Sequence, residues 1–206
     1  VADCAAGGLT EFYERGPEVT PAAWSELAAL AGRRSDAGDW LTVSGSLPPG
    51  ASQEGYRELT AACPLALDST EPAPATVDLI KVNAAEASRL TGLDTGSGDG
   101  ALAAARELCR RAPAAAVTRG GEGAVLAAED GSALTGTLDA RGRYPVGSGD
   151  AFLAGLVVAR AAGAGWADAT RLALGAAAAN AAVPGAARFS RDDAEQLAAR
   201  ATVRPI

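Results

Sequence analysis

Three small residues, Gly147, Ser148 and Gly149, run straight into Asp150 and an apolar helical pattern carried by Phe152, Leu156 and Ala159. A glycine-rich turn feeding a helix start leaves several backbone N–H groups without intrahelical partners, at the positive end of the helix dipole. Such a terminus attracts anions, phosphate above all. Asp150 would then be a carboxylate beside a bound phosphate. That pairing suits phosphoryl transfer, in which donors hold the transferring group while a carboxylate accepts the nucleophile's proton. The plainer reading makes Asp150 the N-cap of the helix, a role Asp often takes.

The order of elements around this stretch points to an α/β fold. Leu9–Glu14 has strand character and precedes Gly16-Pro17, as an edge or flap strand would rather than the first strand of a central sheet. Thr20-Pro21 is a helix start, with Trp24, Leu27 and Leu30 at helical spacing through Ala31. Trp40–Val43, Leu65–Leu67, Val77–Val82 and Ala114–Thr118 read as short buried strands. Helices are expected from Ser52 to about Cys63, from Asn83 to about Thr91, and around Leu102–Cys109. Thr95–Gly100 reads as a flexible loop. Glu129-Asp-Gly-Ser132 between two apolar runs is a hairpin signal. Helices near 151–162, 167–182 and 191–200, the last capped by Ser190, precede a final strand in the tail 202–206. Strands alternating with helices predict a three-layer α/β/α domain with a mostly parallel sheet. The polar motifs fall just after strands, where such a fold binds ligands.

Charge and composition narrow the chemistry. The net charge of −7 argues against nucleic acid and anionic membrane surfaces as partners. No histidine occurs, which removes Ser–His–Asp catalysis, histidine metal ligation and histidine bases together. Cys4, Cys63 and Cys109 form no CxxC pair, so neither a disulfide framework nor a zinc site is indicated. With no apolar leader or span in view, a soluble, cytoplasmic protein is expected. Abundant Ala and Gly predict helices packed closely through small residues.

Other motifs each carry two readings. Asn83 and Glu86, three apart at a helix start, form either a capping box or a pair of oxygen donors that hold magnesium through its waters. Lys81 either faces the ligand or ends a strand at the surface. Gly120, Gly121 and Gly123 after Thr118 give either a tight turn or a close backbone approach to a nucleotide. No GxxxxGK[ST] motif occurs, nor a GxGxxG with its distant acidic residue, so P-loop and ordinary dinucleotide-binding folds lose ground. Gly45–Gly50 is at least a rigid turn, and Asp68 caps or braces a loop. Asn180 lies in an alanine-rich helix where Asn is disfavoured, so it bonds something specific, a neighbouring backbone or a nucleotide.

In this order, Gly45-Ser-Leu-Pro-Pro-Gly50, Lys81-Val-Asn-Ala-Ala-Glu86, Val117-Thr-Arg-Gly-Gly-Glu-Gly-Ala124 and Val146-Gly-Ser-Gly-Asp-Ala151 resemble the PfkB (ribokinase-like) carbohydrate kinases. The branch containing 1-phosphofructokinase and tagatose-6-phosphate kinase is the nearest in look. The resemblance implies an ATP- and magnesium-dependent kinase. Asp150 matches the base that takes the acceptor hydroxyl's proton, and Gly147, Ser148 and Gly149 match the anion hole. Asn83 and Glu86 match the pair near magnesium and the ATP phosphates. Thr118, Gly120 and Gly123 match the nucleotide-binding turn. Asn180 falls near the adenine, and Ser46 by the sugar. On this reading Asp150 both caps its helix and acts as base.

The resemblance also implies a lid-strand remnant over 1–16 and a ribokinase-like nucleotide-binding core over 17–206. A homodimer through lid strands is expected. Fructose 1-phosphate is the favoured acceptor, with tagatose 6-phosphate, ribose or a nucleoside as alternatives. A silent nucleotide- or sugar-phosphate-binding module is the rival from another class. The chain departs from the family pattern at Tyr144-Pro145, at Arg119 and at Lys81-Val82, and nothing in it matches the family's opening strand and sugar-binding segment. It is therefore expected to be a fragment of a kinase or a shortened relative.

Overall fold

The computed structural model describes residues 2–3, 10–11, 14–36, 38–51, 63–70 and 77–206. Two short strands, β1 (Ala2–Asp3) and β2 (Thr10–Glu11), pair antiparallel with each other and stand apart from the main sheet. The strand expected over Leu9–Glu14 is present as Thr10–Glu11, and residues 9, 12 and 13 lie outside the described residues. Helix α1 (Pro21–Arg34) follows, three residues longer than its apolar spacing predicts, with the Thr20 hydroxyl accepting from Ala23 N.

The main sheet has seven strands in sequence order: β3 (Leu41–Ser44), β4 (Leu65–Asp68), β5 (Leu79–Asn83), β6 (Ala114–Thr118), β7 (Ala124–Ala128), β8 (Ala133–Thr137) and β9 (Thr202–Pro205). β3 to β6 are parallel neighbours, and β7, β8 and β9 each run antiparallel to the strand before. Five of the seven strands therefore point one way. β4, β5 and β6 are nearly continuous apolar runs, as expected for strands covered on both faces.

Helices α2 (Ala84–Thr91) and α3 (Gly98–Leu108) cover one face, where Leu67, Ile80, Val82, Leu108 and Val117 share a core. Helices α4 (Ser148–Ala161) and α5 (Trp166–Ala182) cover the other, over Leu79, Leu126, Phe152, Leu156 and Leu174. Helix α6 (Arg191–Ala198) packs outside α5. The small residues do what the composition predicts. A Cβ on Gly155 of α4 would come within 2.6 Å of the Ala173 Cα of α5, so the two helices meet backbone to backbone.

Some boundaries differ from expectation. Thr95–Gly100 is an ordered helix entry rather than a flexible loop. The buried Thr95 donates to Ala84 O at 2.7 Å, and Ser97 caps α3 by accepting from Gly100 N at 3.0 Å. Glycine and serine there serve cap geometry, so composition misleads. β5 begins at Leu79 rather than Val77. Most of the helix expected from Ser52 lies outside the described residues. No helix among the described residues is long and apolar enough to cross a membrane.

Candidate active site

Strand register sets the site. Ser44 pairs with Asp68 at the ends of β3 and β4, and Asn83 with Thr118 at the ends of β5 and β6. Polar residues that end separate apolar runs are thus brought into one row at the carboxyl edge of the sheet, where parallel folds bind ligands. Side chains alternate along a strand, so Ile80 and Val82 enter one core while Leu79 and Lys81 face the α4 side.

The glycine turn meets this row from above. Gly147 is the N-cap of α4, at φ +83, and a Cβ there would come within 2.8 Å of the Ala186 methyl. Only glycine fits without strain. Helix α4 starts at Ser148, three residues earlier than expected, because the turn itself has helical geometry. Asp150 is therefore not the cap; it is the third residue of the helix, exposed, where a negative charge still meets the helix dipole favourably. The Ser148 N–H is used within the turn, donated to Pro145 O at 3.0 Å. Among the described residues no backbone carbonyl accepts from Gly149 or Asp150 N–H, so these donors remain for an anion.

Directly beneath lies a buried ion pair. Lys81 Nζ donates to Asp68 Oδ2 at 2.5 Å, and Lys81 is only 4% exposed. Burial pushes the Asp68 carboxyl above its ordinary range. The Lys81 charge pulls the other way, and the nearby Glu86 and Asp150 carboxylates push it further up. Lys81 faces the ligand cleft rather than ending its strand at the surface.

Asn83 and Glu86 form the capping box that one reading of the pair expects. Asn83 Oδ1 accepts from Glu86 N at 2.9 Å and Glu86 Oε2 accepts from Asn83 N at 2.8 Å, a complete capping box. The box uses one oxygen of Glu86 and leaves the other. The crowding of Asp68, Glu86 and Asp150 is an excess of negative charge that a hard cation would relieve, and oxygen donors suit magnesium. Among the described residues no three acidic or sulfur side chains are placed to hold a metal between them. Contact through water is the mode this donor set supports.

A cleft of about 1000 Å³ joins these parts, lined by Lys81, Asn83, Thr118, Gly120, Ser148 and Gly149 among others. A shallower recess of about 330 Å³ shares Asn83, Thr118 and Gly120 and ends at Arg119, whose guanidinium pairs with Glu122 and donates to Gly96 O at 3.4 Å. Arg119 thus braces the turn. Gly123 also lines the cleft, while Gly147, Glu86, Asp150, Asn180 and Ser46 are not among its lining residues. Ser46 is exposed in the loop after β3. That loop is anchored by Gly45 N donating to Asp68 O at 2.9 Å and by Val19 N donating to Pro49 O at 2.7 Å.

Asn180 finds its specific partners in the protein itself, donating to Val146 O and Ser148 Oγ and accepting from Ala187 N. Sequence reasoning missed the Asp68–Lys81 pair, although each is the charged residue in an otherwise apolar strand core. It also missed Arg141 and Asp139, which line the cleft from a segment without periodicity.

The chain is similar to known proteins in sequence and in fold. A family model described as "pfkB family carbohydrate kinase" matches residues 6–193. An ATP-dependent 6-phosphofructokinase isozyme 2 of Mycobacterium tuberculosis is 32% identical over 198 residues, covering 90% of this chain and 58% of that protein. A 1-phosphofructokinase of Haloferax volcanii is 32% identical over 175 residues, covering 82% of this chain and 57% of its own length. The chain thus spans a little over half the length of these relatives. In fold it superposes on phosphofructokinase-2 from Escherichia coli, solved in complex with potassium, with a TM-score of 0.83 at 23% identity, covering 95% of this chain and 67% of that one.

Proposed function

This chain belongs to the pfkB family of carbohydrate kinases, and from that membership we propose that the protein transfers the γ-phosphoryl group of ATP to a hydroxyl of a phosphorylated ketohexose. The observation that carries the reading is the start of α4. Two backbone N–H groups without carbonyl partners stand there with the Asp150 carboxylate, next to a cleft that contains Thr118 and the Gly120–Gly123 turn.

In the proposed reaction Asp150 accepts the proton of the acceptor hydroxyl as its oxygen bonds to the γ-phosphorus. The bond from phosphorus to the bridging oxygen breaks, and ADP leaves with that electron pair. Gly149 and Asp150 N–H groups, with Gly147 and Ser148 shaping the turn, meet the charge that builds on the equatorial oxygens. Lys81, fixed by Asp68, adds a positive charge below them. Thr118, Gly120 and Gly123 would seat the nucleotide. Asn83 and Glu86 would hold magnesium through water, and the ion would neutralise phosphate charge there. Ser46 lies in the loop assigned to the sugar side.

Fructose 1-phosphate, yielding fructose 1,6-bisphosphate, is the favoured acceptor, supported by the relative named 1-phosphofructokinase. Fructose 6-phosphate is the second reading, supported by the mycobacterial relative named 6-phosphofructokinase. Two copies pairing through β1 and β2 would be the assembly. The deciding experiment is ATP turnover by this 206-residue chain with magnesium and a panel of fructose 1-phosphate, fructose 6-phosphate, tagatose 6-phosphate and ribose. Sugar-dependent ADP release supports the kinase and names its acceptor. Tight ATP binding with no turnover on any sugar favours a binding module.

A further inference from the structure

Asn180 is completely buried two residues from the C-terminal end of α5, in a run of alanines. Its three hydrogen bonds tie together segments far apart in sequence. Nδ2 donates to Val146 O at 2.9 Å and to Ser148 Oγ at 3.2 Å, and Oδ1 accepts from Ala187 N at 2.9 Å. The partners fix the orientation of the amide, because a backbone carbonyl can only accept and a backbone N–H can only donate. Every donor and acceptor position in use is spent on the protein.

We propose that Asn180 is a positioning residue for the phosphate-binding turn, acting through the Val146–Gly147 peptide and the Ser148 hydroxyl rather than touching the nucleotide. The proposal rests on the kinase reading above. A trans peptide is planar, with its C=O and N–H directed oppositely. Holding Val146 O on Asn180 therefore aims Gly147 N–H away from α5. The same side chain holds Ser148, the first residue of α4. Oδ1 secures Ala187, the only non-glycine among the described residues with positive φ, at +54. That conformation keeps the 184–187 segment against the turn, where Ala186 approaches Gly147. One amide thus locks the helix start between α5 and the segment after it. Aspartate in its place would turn an acceptor toward Val146 O and drive the two apart.

The test compares wild type with Asn180→Ala and Asn180→Asp for binding of ATP and of adenosine, with folding checked by near-ultraviolet circular dichroism. The expected result is adenosine affinity within about twofold of wild type, while ATP affinity falls about tenfold or more, further for Asp than for Ala. Parallel loss of both affinities in folded variants, as an adenine contact would produce, overturns the proposal; so does no change in either. A wild-type chain that binds neither ligand overturns the kinase reading and this role with it, whereas wild-type binding with unchanged variants sinks only the role of Asn180. Where the variants do not fold, the side-chain amide resonance of Asn180 in the wild type decides. It should shift on adding ATP or inorganic tripolyphosphate and stay put with adenosine; the reverse pattern overturns the proposal.

Discussion

Lys81 and Asp68, joined at 2.5 Å, lie directly under Gly149, where an added Cβ would come within 2.7 Å of the same ammonium nitrogen. Gly149 is thus a glycine because a charge sits beneath it. The ion pair is the floor of the glycine turn that starts α4.

Removing either partner of that pair should destabilise the fold, and acid relieves only the loss of Lys81. Asp68 is held above its ordinary value near 3.8 even with Lys81 beside it, so burial outweighs the attraction and the ionised carboxylate is kept at a cost. A raised folded-state value means this group's stabilisation is fully present below about pH 3.8 and is lost as pH rises through the raised value. Asp68→Asn leaves the buried Lys81 ammonium without its counter-charge and should cost about 3 kcal/mol at pH 7. It should also remove the component of wild-type stability that grows on acidification. Lys81→Met leaves the carboxylate buried alone and should cost about 3 kcal/mol at neutral pH, relieved as Asp68 protonates. Denaturant melts between pH 4 and pH 8, in buffer without magnesium or nucleotide, check both.

Asp150→Asn keeps the size and the backbone of the first turn of α4. ATP affinity should stay within about threefold while turnover with the active sugar falls by about 10² to 10⁴, the usual worth of a general base. Steady-state kinetics alongside equilibrium binding of ATP separates the two; an active variant removes the base assignment.

The capping role of the Asn83–Glu86 pair and the magnesium role proposed for it can be pulled apart. Asn83→Ala removes the bond from Glu86 N and should cost about 1 kcal/mol of stability. Glu86→Gln retains the box, since Gln also reaches back to the cap N–H, so stability should change by less than about 0.5 kcal/mol. Its turnover should nevertheless require several-fold more magnesium. Thermal unfolding and a magnesium titration of activity give the two readings.

Gly123 sits at φ 92 and ψ −139, and a Cβ there would run into the carbonyl oxygen of Gly136 on the neighbouring strand. Gly123→Ala should destabilise by about 2 to 3 kcal/mol, the cost of a near glycine-only conformation with a clash added. At roughly 2–4 °C per kcal/mol for a chain of this size, the melting midpoint should drop by about 4 °C or more. A midpoint within 1 °C of wild type would contradict the strain argument.

Much of this architecture is written locally. The apolar runs of β4, β5 and β6, the Thr20-Pro21 start and the Glu129–Ser132 hairpin each depend on neighbours within a few residues, and each is present, with β5 starting two residues later than read. Local signals fail where one residue type serves two geometries. The Gly and Ser of 95–100 read as flexible yet cap α3, and Asp150 reads as a cap although Gly147 takes that place.

The sequence alone therefore determined the layer order, the family resemblance and which residue types crowd the strand ends, because periodicity and motif spacing are properties of the chain. Only the tertiary structure decided that Lys81 pairs with Asp68 under the turn and that Asn180 grips Val146, Ser148 and Ala187. Those relations join residues 13, 34, 32 and 7 positions apart. They exist because parallel register and the close α4–α5 approach bring side chains together at distances no local pattern encodes.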